Sequence, residues 1–235
     1  MNENIFPNID ILFLNEKDLI ECGVKNMKNC IDVMEKHFSL IGNGDYRMGG
    51  ANGNEHGLKM SFPESSSIKD FPLNGPDYRF MAMPAYLGGE FHTCGIKTYD
   101  DCRGFWFFYG KSWFRKSGAP YAYMSANLIS SMRTGAVPGL GIRYLSIKEP
   151  KTAAIVGPGV MGRTAALAIA TEKPSITTIK IKGRSEKGIQ EFIDFCKEYC
   201  PTFKDFVVCD SIESAAKDSD IIYFGTTNAA KYEDN

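Results

Sequence analysis

The sequence predicts an α/β chain, in which a doubly wound parallel sheet over residues 151–235 follows an N-terminal α+β domain over residues 1–150. Three observations predict it. Short apolar runs alternate with helical patterns from Ala153 to Gly225, which is the signature of βαβ units. A glycine-rich turn, Gly157-Pro158-Gly159-Val160-Met161-Gly162, joins the first apolar run to the first of those helices. Between Leu58 and Met124, aromatic-rich segments broken by Gly, Pro and charged residues read as strands of a separate antiparallel or mixed sheet.

In chain order, residues 9–15 read as a strand, and Asn15 with Asp18 three residues on suits a helix start. Met27, Ile31, Met34 and Phe38 recur at helical spacing and predict an amphipathic helix over 26–40. Residues 42–57 are rich in Gly, Asn and polar residues and read as a loop. Arg47 lies inside it and, taken alone, reads as a solvated surface arginine. Strand candidates follow at 58–62, 78–82, 93–99, 104–109 and 122–124, with a hairpin turn over 111–120. Lys97 falls in the third of these, where a lysine normally faces solvent. Residues 125–145 predict a helix with a kink or break near Pro138, because proline removes a backbone donor. Arg133-Thr134-Gly135 sits just before that point, where a helix end leaves backbone groups free. Residues 147–150 form the expected domain boundary.

The glycine turn has the strand–turn–helix context of a dinucleotide fingerprint. Gly157 allows the tight turn, Gly159 lets backbone approach a pyrophosphate, and Gly162 lets helix and strand pack closely. Val160 and Met161 open the helix, whose unpaired N–H groups suit a phosphate. At the end of the second strand an NAD site usually carries a carboxylate for the ribose 2′-hydroxyl. Here that strand ends Lys182-Gly183-Arg184-Ser185, without an acid. Arg184 can pair with a 2′-phosphate and Ser185 can hydrogen-bond it, so NADP(H) is expected over NAD(H).

Composition narrows the class. The 235 residues are 43% hydrophobic and 23% charged with a formal net charge of −1, an ordinary globular balance without the basic excess of a nucleic-acid surface. No apolar run reaches membrane-span length, and the first residues do not read as a signal peptide. The seven cysteines form no CxxC pair and read as reduced thiols, so neither zinc nor disulfides are expected and the cytoplasm is the expected compartment.

Four segments in order, Met83-Pro84-Ala85-Tyr86, Gly95-Ile96-Lys97, Ser131-Met132-Arg133-Thr134-Gly135-Ala136-Val137 and the glycine turn, resemble those of the ornithine cyclodeaminase/mu-crystallin family. The resemblance covers nearly the whole chain. It implies a substrate domain that carries a homodimer interface, and a Rossmann domain, with the reaction in the cleft between them. It also implies hydride transfer between a nicotinamide and the α-carbon of an amino acid, or of the matching imine. By resemblance Arg133 binds the substrate carboxylate, Arg47 is a second carboxylate contact with Arg79 as its rival, Lys97 is the catalytic polar group, and Thr134 lies near the cofactor.

The Gly183-Arg184-Ser185 strand end resembles the NADP-using members. The family's catalytic aspartate follows the last strand visible here, and Asp234 does not match it, so the resemblance implies a C-terminally incomplete Rossmann domain. The activities implied are a ketimine reductase or N-substituted amino acid synthase, a cyclodeaminase with catalytic NAD(P), or a non-catalytic NADPH-binding protein. Tyr86, Trp106, Tyr109 and Trp113 are candidates for substrate selection.

Overall fold

The computed structural model describes residues 11–50, 57–73, 79–100, 103–109 and 120–226. Nearly all of the expected turn over 111–120, Trp113 and Asp234 lie outside these residues, as do the side chains of Arg79, Trp106 and Tyr109. By packing, the chain divides into two compact units. The first comprises Met1–Gly23 and His37–Leu128, and the second Val24–Lys36 and Ile129–Asn235. Among the described residues no helix is long and apolar enough to cross a membrane.

The first unit is built on β1 (Leu12–Leu14), β2 (Tyr46–Met48), β3 (Leu58–Ser61), β4 (Arg79–Leu87), β5 (Thr93–Asp100), β6 (Arg103–Tyr109) and β7 (Ala122–Ser125). They form one mixed sheet in the order β1-β7-β6-β5-β4-β2, with β3 also beside β4. Only the β1–β7 pair is parallel, Phe13 standing opposite Tyr123. Helix α1 (Glu16–Glu21) starts as its sequence suggests. The Asn15 side chain accepts from the Lys17 and Asp18 amides, and Asp18 accepts from the Asn15 amide at 2.8 Å, a capping box.

Two features differ from expectation. The segment 42–57 is not all loop, because Tyr46, Arg47 and Met48 pair with Leu87, Tyr86 and Ala85. Asp45 fixes that register by accepting from the Gly89 amide at 2.8 Å. Strand β4 also runs five residues beyond the expected end at Ala82, straight through Pro84. In an antiparallel strand a residue's N and C=O face the same neighbour. The Pro84 carbonyl accepts from Gly49 at 2.8 Å, so its missing N–H faces the gap between β2 and β3, where no ladder bond is lost.

The second unit holds α2 (Met27–Gly42) in its first half, α3 (Asn127–Leu145), and the run β8 (Thr152–Val156), α4 (Val160–Glu172), β9 (Thr178–Lys182), α5 (Glu186–Tyr199), β10 (Asp205–Val208), α6 (Ile212–Ala216), β11 (Ile221–Phe224). All four strands are parallel, in the order β10-β9-β8-β11. Alternate residues of β8 enter different cores. Ala153 and Ile155 meet Ile169 of α4 and Phe192 of α5, whereas Ala154 meets Cys209 and Ala215 of α6. The sheet is therefore covered by helices on both faces, which parallel strands require. Ser185 and Ser211 cap α5 and α6, accepting from Gly188 and Ser214.

Helix α3 runs as one helix through Pro138, so of the kink or break expected there the break does not occur. Its buried stripe, Met132, Gly135, Ala136, Gly139 and Ile142, has helical spacing and keeps the helix packed along its length. The two glycines let it come close. A Cβ on Gly135 would stand 2.4 Å from the Thr164 Cβ, and one on Gly139 would stand 2.6 Å from the Ile31 Cδ1 and 3.0 Å from the Ala168 Cβ. These glycines, which read as breakers, are contact points for α4 and α2.

Arg143 ties three helices of this unit together. Its guanidinium donates to Glu172 of α4 at 2.7 and 3.0 Å, and to Asp32 and Glu35 of α2 at 2.7 and 2.6 Å. Removing this cation leaves three carboxylates close together, with Lys28, on Asp32 at 2.8 Å, to oppose them. Arg143→Ala is expected to lower unfolding stability by about 1–3 kcal/mol in denaturant titration, and Arg143→Lys to recover only part, since an ammonium cannot reproduce the fork.

Asp220 performs the same service at the start of β11. Its Oδ2 accepts from the Lys151 and Thr152 amides at 2.7 and 3.0 Å, and those two bonds hold its carboxyl below the usual carboxylate range. A depressed folded pKa contributes stability above the unfolded value, near 4, that is lost as pH falls through the folded one. Asp220→Asn is expected to reduce stability at pH 7 and to flatten the stability loss between pH 5 and pH 2. An unchanged pH profile would remove Asp220 from that role.

Candidate dinucleotide and substrate site

The strand order of the second unit reverses beside β8, with β9 and β10 on one side and β11 on the other, and ligands of open parallel sheets bind outside the strand ends at such a point. The glycine turn lies there. Gly157 has φ +95°, a conformation that disfavours side chains, and its amide donates to the Lys182 carbonyl at 2.9 Å. A Cβ on it would stand 2.7 Å from the Gly225 carbonyl oxygen, just after β11. A Cβ on Gly162 would stand 2.4 Å from the Gly157 oxygen, so α4 can start only where it does if this residue is glycine.

Gly159 is different, because among the described residues nothing lies within 4 Å of the position its Cβ would take. It is the N-cap of α4 and supplies no side-chain acceptor, while its carbonyl takes the first helical bond, from Arg163 at 2.9 Å. The amides of Val160, Met161 and Gly162 thus precede the first intrahelical donor and face the open end of the helix. Val160 is 57% exposed beside them. An open glycine, uncapped amides and a helix dipole together fit a dinucleotide pyrophosphate.

The end of β9 joins this turn. A Cβ on Gly183 would stand 2.9 Å from the Pro158 ring, so the two loops touch at a contact that the sequence reading did not include. The only hint in the sequence was a glycine at the strand end. Arg184 and Ser185 follow, both exposed. Among the described residues Arg184 makes no ion pair. The Ser185 Oγ accepts from the Gly188 amide at 3.2 Å and keeps its own hydrogen for another acceptor. Lys182, also missed, sends its Nζ to the Asp210 carbonyl at 2.5 Å, and Arg163 pairs with Glu191 at 3.0 Å to hold α4 against α5.

Arg133 and Thr134 lie in the middle of α3, not at a helix end. Arg133 is exposed, and the Thr134 Oγ1 donates to the Ser130 carbonyl at 2.7 Å. Pro138 has no N–H to give the Thr134 carbonyl four residues back. The next residue, Gly135, is the contact with Thr164, two residues beyond Gly162, so the helix brings this pair beside the first turns of α4.

Lys97 and Arg47 belong to the first unit. The β4–β5 register runs unbroken from Phe80–Asp100 to Leu87–Thr93, so side-chain parity is conserved along it. Lys97 stands opposite Met83 and is half-buried, whereas Arg47 stands opposite Tyr86, three residues along. An odd offset places the two residues on opposite faces of the sheet. Arg47 is exposed and donates through Nη1 to the carbonyls of its own loop, Gly44 at 3.2 Å and Tyr46 at 2.5 Å. Arg79 begins β4 opposite Ser61, an even offset from Met83, and thus at a backbone position on the Lys97 side. Tyr86 shares the Arg47 face and bonds the His92 Nδ1 at 3.1 Å.

The described cysteines are unpaired, and burial pushes the Cys30 and Cys94 thiols up. No three His, Cys, Asp or Glu side chains among the described residues gather as a metal would require. A shallow groove beside β11, lined by Pro138, Leu145, Ile169, Ile222 and Tyr223, is apolar apart from Ser146 and the engaged Asp220.

Comparison with known proteins gives relatives of the same fold. The chain is 23% identical over 240 residues to the N-((2S)-2-amino-2-carboxyethyl)-L-glutamate dehydrogenase of Staphylococcus aureus, covering 96% of this chain and 65% of that one. Among solved structures it resembles the Delta(1)-pyrroline-2-carboxylate reductase of Thermococcus litoralis in complex with NADH and L-proline, with a TM-score of 0.71 and 22% identity over 91% of this chain and 61% of that one. An archaeal alanine dehydrogenase dimer with bound NAD matches at a TM-score of 0.69 and 19% identity, over 92% of this chain and 60% of that one. The chain thus spans rather less than two thirds of the length of these relatives. The model of the ornithine cyclodeaminase/mu-crystallin family matches residues 114–232, just over half of the 235 residues. With its fold shared by those neighbours and the family model matching from before α3 to beyond β11, the chain belongs to the ornithine cyclodeaminase/mu-crystallin family.

Proposed function

We propose that the protein is an NADP(H)-dependent oxidoreductase of amino or imino acids, of the ketimine reductase or N-substituted amino acid synthase type, acting as a homodimer in the cytoplasm. The observation that carries it is the switch-point turn, where Gly157 is pinned against Gly225 while Gly159 and the uncapped α4 amides stay open. Residues 151–235 hold the dinucleotide in this reading, and residues 1–150 supply the substrate contacts and the dimer interface. The named activities of the relatives, a reductase of a cyclic imine and two dehydrogenases of amino acids, are consistent with this class.

Each residue then has a defined task. Gly157, Gly159, Val160, Met161 and Gly162 hold the pyrophosphate, Arg184 and Ser185 receive the 2′-phosphate, and Thr134 packs beside the nicotinamide end. The Arg133 guanidinium takes the substrate carboxylate by two parallel hydrogen bonds. When bound, the nicotinamide supplies a hydride to the α-carbon of the imine, or removes one from the amine. The Lys97 Nζ gives the substrate nitrogen its proton in the reductive direction and takes it back in the other, so the C=N bond becomes H–C–N–H with charge balanced. Lys97 is half-buried on its strand, opposite Met83. Arg47 is left out of the set because it faces away from Lys97 and is engaged by its own loop.

Titration with NADPH and NADH, followed by nicotinamide fluorescence, tests the cofactor reading. NADPH is expected to bind at least about tenfold more tightly, a difference of about 1.4 kcal/mol, and Arg184→Ala is expected to abolish that preference while leaving NADH within about threefold. Equal losses for both cofactors would reject Arg184 as the 2′-phosphate contact. Tight NADPH binding without turnover on any cyclic imine or keto acid–amine pair would make the protein a nucleotide-binding member, and ammonia release at constant absorbance of the cofactor would make it a cyclodeaminase.

The carboxylate reading is tested on the same substrates. Arg133→Ala is expected to raise KM about 100-fold, the worth of a charge-assisted pair at about 2–3 kcal/mol, whereas Arg47→Ala stays within about threefold. The reverse order would return Arg47 to the substrate site.

A further inference from the structure

A dinucleotide with its pyrophosphate at the end of β8 and its 2′-phosphate at the end of β9 has β10 as the next strand outward. Neighbouring strands stand about 4.8 Å apart, so the end of β10 lies about 10 Å from the glycine turn, within reach of a nucleoside. Three features meet there. Asp210, two residues past β10, is exposed, and among the described residues its carboxylate makes no hydrogen bond or ion pair. Its backbone is nevertheless fixed. The Lys182 Nζ donates to its carbonyl at 2.5 Å, and the Cys209 amide before it donates to the Ile181 carbonyl at 2.8 Å. Ser211 after it is held by the cap of α6, its Oγ accepting from the Ser214 amide at 3.0 Å and its amide donating to the Ser214 Oγ at 3.2 Å. On either side of Asp210, Val208 and Ile212 are 54% and 43% exposed. Val208 pairs with Ile181 and so stands beside the residue that precedes Lys182.

We propose that Asp210 reads the adenine of the dinucleotide, its carboxylate accepting from the 6-amino group while Val208 and Ile212 supply apolar contact to the ring. This role rests on the dinucleotide reading above, but not on the choice between NADPH and NADH, because both carry the same base. The chemistry of a purine selects this strand end. Its faces are apolar, and its edge bears an amino group that must donate once it leaves water. Ligand sites meet such a molecule with apolar walls and a few fixed polar groups, and here a fixed acceptor lies between two exposed apolar side chains. An ionised carboxylate only accepts, so it suits the 6-amino group of adenine and opposes the 6-oxo group of hypoxanthine. Lys182 is a positioning residue in this arrangement. It ties the Asp210 backbone to β9, two residues before Arg184, so that base and 2′-phosphate are met by one connected segment.

The test is titration of the full chain with NADPH and with its hypoxanthine counterpart, which carries a 6-oxo group in place of the 6-amino group, followed by nicotinamide fluorescence. The wild type is expected to bind NADPH at least about tenfold more tightly, because a site built around one hydrogen bond rejects an analogue that cannot make it. Asp210→Ala is expected to bring the two ligands within about threefold by weakening NADPH. Asp210→Asn is expected to do so by strengthening the analogue, since an amide can donate to the 6-oxo oxygen. Lys182→Met is expected to lower the preference at least about threefold, a ratio from which any shared loss of phosphate binding cancels; an unchanged ratio would remove Lys182 from its positioning role. Failure to bind NADPH, NADH or the analogue would overturn the dinucleotide reading and this one with it. Equal binding of NADPH and the analogue by the wild type would overturn the adenine contact alone, as would a tenfold preference retained in Asp210→Ala or Asp210→Asn.

Discussion

The second unit depends on one constraint, the absence of a side chain at Gly157. The first strand must end, turn through positive φ and deliver the chain to α4 while the end of β11 presses on it from the next strand. A non-glycine residue would carry backbone strain of about 1–3 kcal/mol and would also force its Cβ into the Gly225 carbonyl. Relief would have to separate β8 from β11, which is the seam where a dinucleotide lies in such sheets. Gly162 continues the same logic one turn later, and Gly135 and Gly139 bring α3 against the same helix. Close approach to α4 thus recurs at Gly162 beside the turn and at Gly135 and Gly139 on α3, while among the described residues the position beside Gly159 at its N-terminus stays open.

How much of this could be read from the chain follows from how local its causes are. The alternation of strands and helices from β8 to β11 was legible, because apolar periodicity is a signal carried in the segment itself. The cap at Asn15 was legible for the same reason. Strand β2 was not, since Tyr46–Met48 has polar, glycine-rich flanks and becomes a strand only by pairing with β4. The passage of β4 through Pro84 was hidden because a proline is tolerated only where a neighbouring strand is missing, and the gap between β2 and β3 is a tertiary fact. The continuity of α3 was hidden likewise, because its glycines read as breakers until the helices they touch are known. The Arg143 network joins residues more than 100 positions apart and has no sequence signature at all.

The site divides in the same way. The glycines were legible with their reasons, because the turn conformation is a local requirement. The absence of an acid after β9 was legible too, although the contact of Gly183 with Pro158 that places Arg184 beside the glycine turn was not. For Arg47 and Lys97 the chain shows only residue types. Whether two charged residues on neighbouring strands can act on one substrate depends on parity, and one residue of register reverses it. That parity separates them here, and it makes the environment of Lys97, opposite Met83 on the half-buried face, unlike that of Arg47 in solvent.

The same parity divides the sheet into two unlike faces. A sheet can spend each face once. Among the described residues, the face bearing Lys97 includes Met81, 9% exposed, and exposes only Leu12 of its large apolar strand residues, whereas the opposite face leaves four of them in solvent. Polar groups that work on a substrate need a face that can be wetted and then closed, and an uncharged apolar face is poorly suited to that but well suited to excluding water permanently. Arg47, at the far edge of the face opposite Lys97, is held to the carbonyls of Gly44 and Tyr46, so its guanidinium is satisfied by its own segment and not by a group on the Lys97 face.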